Sequence, residues 1–349
     1  MKSPRIAFFD TKPYDRKFFD AADKKFGFPI TYFEEHLGPG TASSTRGFNT
    51  VCIFVNDVVD ADVIKVLHKN GVRLIALRAS GYNNVDFRAA FGKIHVVRVP
   101  AYSPHAVAEH AVALMLALNR KTHRAYHRTR DSNFSIQGLL GFDMFGKTAG
   151  VIGTGAIGRE LIRILKGFGI YVLAYDPGPD ETFAAETGFS YTDLKTLYKK
   201  SDVISLHCPL TRQTYRMINA ATIKMMKTGV MIINTGRGKL IDTRALIEAL
   251  KNKKVGYAGL DVYEEENEYF FEDFSSEVIS DDVLARLLTF PNVLVTAHQG
   301  FFTAEALTNI ARTTLQNIDD FTRDRLLTHE ICYRCSRKVC TKKTKGKCF

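Results

Sequence analysis

The sequence contains no long apolar run. The longest uncharged one, residues 111–118, falls far short of the ~20 residues a bilayer crossing requires, so a membrane span is excluded. The first residues offer only Ile6-Ala7-Phe8-Phe9 before Asp10, which does not read as a secretory signal. Cysteine is scarce in the body: of six, only Cys52 and Cys208 precede residue 330, far apart and in apolar surroundings. Such thiols read as reduced residues of a cytoplasmic protein, not as a disulfide framework. Acids are absent from residues 331–349, which carry seven bases; without that stretch the formal charge of +11 falls to +4. The body is only mildly basic, which argues against a nucleic-acid face there.

What is present is ordinary globular material. A chain of 349 residues, 45% hydrophobic and 24% charged, excludes disorder throughout and is long enough for about two domains. Short apolar runs alternate with helix-patterned segments, the signature of parallel α/β architecture. One series of strands is expected at 5–9, 30–33, 51–55, 74–77 and 96–99, with a helix at 61–69 between two of them. A second series of six is expected at 149–152, 171–175, 203–206, 230–234, 259–262 and 293–296. The run Val230-Met231-Ile232-Ile233 is apolar on both faces, as a central strand covered on both sides should be. Between the series, Ser103-Pro104 opens a helix apolar almost all round, suited to a core or to a domain or subunit interface. A closing helix, 303–322, sets Leu307, Ile310, Thr314, Ile318 and Phe321 along one stripe that needs a partner surface.

Gly153-Thr154-Gly155-Ala156-Ile157-Gly158 lies between an apolar strand and a helix-compatible segment, the context that makes such a glycine motif specific for a dinucleotide. Gly153 permits the tight turn, Gly155 the approach of pyrophosphate, and Gly158 close helix–strand packing. Asp176 ends the next strand, where a carboxylate binds ribose hydroxyls and repels a 2′-phosphate. No Lys or Arg occurs from there through Leu194, so NAD is favoured over NADP. Three later strand ends carry polar groups: Asn234-Thr235-Gly236-Arg237-Gly238, Asp261-Val262-Tyr263-Glu264-Glu265-Glu266 and Thr296-Ala297-His298-Gln299. A guanidinium can hold a carboxylate bidentately, a histidine can move the proton of a hydroxyl during hydride transfer, and an acid beside it can keep the imidazole charged. Taken singly, each has a duller reading as an ion pair, a solvated acid or a cap; their placement after successive strands that follow a nucleotide motif favours the chemical one.

With these motifs in place, the sequence resembles the D-isomer-specific 2-hydroxyacid dehydrogenases from about residue 4 to 328, and within them the fermentative NAD-dependent D-lactate dehydrogenases. The resemblance is carried by Val51-Cys52-Ile53-Phe54-Val55-Asn56-Asp57, Asn83-Asn84-Val85-Asp86, Ala108-Glu109-His110-Ala111, Ser205-Leu206-His207-Cys208-Pro209-Leu210 and Asp261-Val262-Tyr263-Glu264. It implies Arg237 for substrate binding, His298 as acid/base and Glu266 as its partner, chosen among three acids because it stands five positions after Asp261. It implies cofactor contacts at Ala156, Ile157, Asp176, Cys208, Pro209, Thr235, Gly236 and Asp261, with Thr214 where relatives often have Asn. Ala79, Ser80, Gly81, Tyr102 and Phe301 would line the substrate side.

The implied fold is a pair of doubly wound parallel-sheet domains, Rossmann-like and flavodoxin-like, with the cleft between them. A discontinuous substrate domain of 1–101 and 300–330 would surround an NAD-binding domain of 102–299. The implied activity is reversible reduction of pyruvate to D-lactate by NADH. The alternatives are a bulkier 2-oxo acid on the same chemistry, or an NAD-sensing dehydrogenase-like binding protein, against which the complete Arg237, Glu266 and His298 set argues. The expected partners are a small 2-oxo or 2-hydroxy acid and further copies of the chain, as a homodimer or homotetramer, with no membrane and no nucleic acid for the body. Residues 331–349 match nothing expected of the family. Their Cys-x2-Cys-x4-Cys-x7-Cys has a single metal-like pair and lacks the second pair of a standard zinc ribbon, so the stretch reads as a disordered extension with no metal.

Overall fold

A computed structural model of the chain describes residues 3–266, 269–335 and 340–349. It divides into two compact units, Met1–Ser103 with Phe302–Phe349, and Pro104–Phe301. The seams lie two residues beyond the expected boundaries: Tyr102 falls in the first unit, not in the nucleotide domain, and Gly300 and Phe301 fall in the second.

The first unit holds a parallel five-stranded sheet in the order β2-β1-β3-β4-β5, from β1 (Ile6–Phe8), β2 (Ile30–Tyr32), β3 (Thr50–Ile53), β4 (Leu74–Leu77) and β5 (His95–Val97). Burial of all four residues in both β3 and β4 explains why their sequence reads as continuous apolar runs. The helix Ala61–Lys69 starts where Asp60 accepts hydrogen bonds from the Asp62 and Val63 amides. The closing helix, Ala304–Thr322, is capped by Thr303 and packs its buried Leu307, Ile310, Thr314 and Ile318 against the helix Pro13–Asp23 and β4. That is the partner surface its stripe required.

The expected disorder after residue 330 is corrected here. Ile331 donates its amide to Val96 O at 2.9 Å, and Glu330 bridges antiparallel to Val97, extending the edge at β5. The Phe349 ring stacks on His95 at 4.3 Å, and Tyr333 and Phe349 both pack edge-on against Phe91. The stretch has too few apolar residues for a core of its own; it borrows one from the sheet edge. Val339, also apolar, lies outside the described residues.

The second unit holds a parallel seven-stranded sheet in the order β12-β11-β10-β9-β6-β7-β8. Its strands are β6 (Thr148–Ile152), β7 (Tyr171–Tyr175), β8 (Ser190–Tyr191), β9 (Val203–Leu206), β10 (Val230–Asn234), β11 (Val255–Leu260) and β12 (Val293–Val295). Six correspond to the expected series; β8, two residues long, has too little length to show a period. β11 begins earlier than expected, because Gly256 lets it pass close to Gly229, where a Cβ would lie 2.5 Å from the carbonyl oxygen. Central β10 sends Val230 and Ile232 into one core with Ile204, Leu246 and Leu260, and Met231 and Ile233 into another with Leu114, Leu118 and Val151. The period of two thus gives each face its own hydrophobic layer, with the apolar helix Pro104–Arg120 in the second. Strand order reverses between β6 and β9, and in an open parallel sheet the crevice at the carboxyl ends there is where ligands bind. Among the described residues, no helix is long and apolar enough to cross a membrane.

Candidate active site

The glycine turn follows β6 at that reversal. Gly153 has φ +97°, and a Cβ on it would lie 2.7 Å from the Cys208 amide nitrogen in the loop after β9, so only glycine lets the two strand ends meet. A Cβ on Gly158 would come within 2.0 Å of Gly153 O, which presses the helix Ala156–Gly167 onto the turn. Gly155 is different: nothing stands within 4 Å of its Cβ position, leaving open space at the start of a helix of 12 residues. An anion can approach the backbone there, with the positive end of the helix dipole behind it. Asp176 Oδ2 accepts the Thr154 amide at 2.8 Å and Oδ1 the Gly178 amide at 2.9 Å, which fixes the carboxylate beside the glycine turn. Arg159, an arginine of the adjoining helix, is paired with Asp180 at 2.8 Å. Thr235, just past β10, is buried and, among the described residues, its hydroxyl has no hydrogen-bond partner, an orphan that a bound ligand would satisfy. Open backbone at Gly155, a fixed carboxylate and an unpartnered hydroxyl together fit a dinucleotide.

The other residues expected at the cofactor divide by environment. Ala156 is exposed and Ile157 partly so, on the first turn of the helix; Gly236 donates its amide to Asn234 Oδ1 at 3.0 Å. Cys208 lies 3.7 Å from Met217 Sδ, and burial pushes its thiol up to about 11, so it is an inert neutral wall. The Thr214 hydroxyl donates to Pro209 O at 2.7 Å and accepts the Thr211 amide at 2.8 Å, which ties the loop after β9 to itself. Replacing Asp176 with Ala is expected to lower the ratio of kcat/KM for NADH over NADPH by about tenfold or more, since it removes the charge that repels a 2′-phosphate. Steady-state kinetics with both coenzymes check this, and an unchanged ratio moves the ribose contact elsewhere.

Arg237 and Glu266 come from neighbouring strand ends. A Cβ on Gly238 would lie 2.0 Å from Tyr263 O, so the loop after β10 packs backbone to backbone on the loop after β11. Buried Asn234 accepts the Gly236 amide and donates to Arg237 O at 2.9 Å, shaping the turn that presents the guanidinium. Arg237 Nη1 donates to Gly236 O at 2.7 Å, and among the described residues no carboxylate pairs with it. Glu266 Oε2 accepts the Tyr263 amide at 2.9 Å, and its Oε1 lies 3.0 Å from His298 Nδ1. The two other acids of the run are engaged elsewhere: Glu264 with Arg216 and the Thr243 amide, exposed Glu265 with Lys239.

His298 sits at φ +52°, a left-handed conformation uncommon outside glycine. Its amide donates to Asp261 O at 2.8 Å, and the Asp261 carboxylate accepts the Thr296 hydroxyl and the Gln299 and Gly300 amides at 2.6, 2.9 and 2.8 Å. Gly300 lies close against this carboxylate: a Cβ on it would stand 2.9 Å from Asp261 Oδ2. Asp261, expected at the cofactor, therefore has its carboxylate occupied in bracing the histidine loop. His110, with Nε2 3.0 Å from Thr296 Oγ1 and 3.2 Å from Asp261 Oδ1, completes that brace. Sequence reading gave His110 and Asn234 no role; the signal was a polar residue on an otherwise apolar helix and another ending an apolar strand.

Of the residues expected to line the substrate, Ala79, Ser80 and Gly81 follow β4, where Ser80 O accepts Arg98 Nη1 at 2.7 Å; Tyr102 O accepts Asn309 Nδ2 at 2.8 Å. These lie in the first unit. Phe301, buried in the second, has its ring 6.5 Å from that of Phe271, itself 5.8 Å from the His298 ring.

Comparison with known proteins agrees with this arrangement. Residues 112–300 match the D-isomer specific 2-hydroxyacid dehydrogenase NAD binding domain. The chain is 54% identical to D-lactate dehydrogenase of Escherichia coli (strain K12), across 94% of this chain and 99% of that protein. The apo structure of D-lactate dehydrogenase from Escherichia coli superposes with a TM-score of 0.86 at 52% identity, covering 94% of this chain and 99% of that one. The pyruvate reductase of Chlamydomonas reinhardtii does so with a TM-score of 0.88 at 46% identity, covering 93% and 98%. The chain belongs to the D-isomer specific 2-hydroxyacid dehydrogenase family, with an NAD-binding domain built around the Gly153 turn.

Proposed function

We propose that the chain is an NAD-dependent D-lactate dehydrogenase that interconverts pyruvate and D-lactate. The observation that carries the chemistry is the Glu266–His298 contact at a strand end of the nucleotide-binding unit; similarity over nearly the full chain supports the substrate. When bound, NADH supplies the hydride. Arg237 holds the substrate carboxylate through two parallel N–H donors of its guanidinium. His298 shares Nδ1 with Glu266, so Nε2 is the ring nitrogen that gives its proton to the 2-oxo oxygen and takes it back from the hydroxyl in oxidation. Glu266, held by the Tyr263 amide, fixes the orientation of the imidazole through Nδ1. Ala79, Ser80, Gly81, Tyr102 and Phe301 are the groups proposed to limit the substrate's 3-substituent. The reading includes a homodimer or homotetramer in the cytoplasm; the free, widely separated Cys52 and Cys208 support a reducing compartment.

Replacing Glu266 with Gln keeps a hydrogen-bond partner at His298 Nδ1 but takes the carboxylate out of the contact that orients the ring. Turnover of pyruvate is expected to fall about tenfold or more, with NADH binding near the wild-type value. Turnover that does not change in a folded variant assigns the positioning of His298 to another group. The substrate reading is tested by kcat/KM for pyruvate beside 4-methyl-2-oxopentanoate. Preference for pyruvate supports it, and preference for the branched acid replaces it with a bulkier 2-oxo acid.

A further inference from the structure

The four cysteines of the C-terminal stretch lie outside everything assigned above. Cys332, Cys335, Cys340 and Cys348 converge from the segment 332–335, from residue 340 and from the penultimate position of the chain, and their sulfurs all lie within 4.8 Å of one another. Cys335 Sγ is 3.8 Å from both Cys332 Sγ and Cys348 Sγ. A disulfide needs about 2.05 Å between sulfurs. A tetrahedron with metal–sulfur bonds of about 2.3 Å has sulfur–sulfur edges of about 3.8 Å. We propose that these four thiolates hold one zinc ion in a structural tetrathiolate site that fastens the C-terminal stretch to the edge of the five-stranded sheet.

Two further features fit. The Arg334 amide donates to Cys332 Sγ at 3.3 Å and the Cys332 amide to Cys335 Sγ at 3.0 Å, so backbone donors stabilise thiolate charge across the Cys-x2-Cys turn. Four thiolates on a divalent ion leave a net charge of −2, which the seven bases of residues 331–349 offset. The spacing lacks a second Cys-x2-Cys, but convergence of the chain brings Cys340 and Cys348 to the same point.

The cluster is anchored to the fold by Glu330, a residue only 1% exposed. One carboxylate oxygen lies 2.6 Å from His95 Nδ1 on β5, and the other accepts the Cys348 amide at 2.5 Å. Lys342 Nζ adds bonds to Thr328 O and Glu330 O at 2.6 and 2.7 Å. Loading displaces the four thiol protons to solvent and gives a stretch poor in apolar residues the cross-link it needs to stay on the sheet edge. All four sulfurs belong to the protein and surround the ion, which leaves no open position for a reacting ligand.

The test uses the untagged full-length protein, purified without chelator, with elemental analysis for zinc and a thiol titration. About one zinc per chain is expected, released as a mercurial reagent titrates the four tail thiols. Cobalt(II) exchanged into the site should show intense sulfur-to-metal charge-transfer absorption, and zinc removal should lower Tm. The variant Cys340→Ser should retain less than about a tenth of the zinc with turnover preserved. If that variant does not fold, the stoichiometry and cobalt spectrum of the wild type decide alone. Less than about a tenth of an equivalent of zinc in the wild type, two disulfides, stoichiometric iron in place of zinc, or zinc fully retained in Cys340→Ser would each overturn the proposal.

Discussion

Replacing His298 with Gln is expected to cut turnover roughly 10²–10⁴-fold while NADH binding stays near the wild-type value. The cofactor features, the Gly155 opening and the Asp176 carboxylate, belong to β6 and β7, whereas His298 follows β12 and meets Glu266. Glutamine can occupy the left-handed position and donate a hydrogen bond, but it cannot carry the proton. Fluorescence titration with NADH and single-turnover reduction separate the two quantities. Turnover close to the wild type would take His298 out of the mechanism.

Replacing Arg237 with Gln should lower kcat/KM for pyruvate by roughly 10²–10³-fold, because a carboxylate in a partly buried site loses its charged, two-pronged donor. The Arg237 turn is fixed through Asn234 and Gly238, so the loss is one of binding chemistry and not of loop shape. Arg237→Lys should recover only part of it, since an ammonium restores the charge but not the fork. Steady-state kinetics read both variants against a circular-dichroism control for folding. If Arg237→Lys matches the wild type, the carboxylate is held by another group.

How far the sequence could be read follows from the range of each interaction. The glycine motif was legible because its determinants are local: a turn, a close approach and a helix start within six residues. Central β10 was legible as an unbroken apolar run, and the apolar face of the closing helix by its period. Which of three consecutive acids serves His298 was not legible from the residues alone, because Arg216 and Lys239, which occupy Glu264 and Glu265, are distant in sequence. The resemblance chose Glu266, and Glu266 Oε1 is the oxygen beside Nδ1. The packing of the C-terminal stretch was misread for a related reason. Its few rings are too scattered to form a core, and the Phe91 and His95 rings that receive them lie well over two hundred residues earlier.

The central claim is that Arg237, Glu266 and His298 reduce pyruvate to the D-isomer at the expense of NADH. Incubating the purified protein with pyruvate and NADH, following NADH by absorbance and resolving the product by chiral chromatography, tests it most directly. The account predicts NADH oxidation matched mole for mole by D-lactate. Formation of L-lactate, or no NADH oxidation by a folded protein that binds NADH, would contradict it.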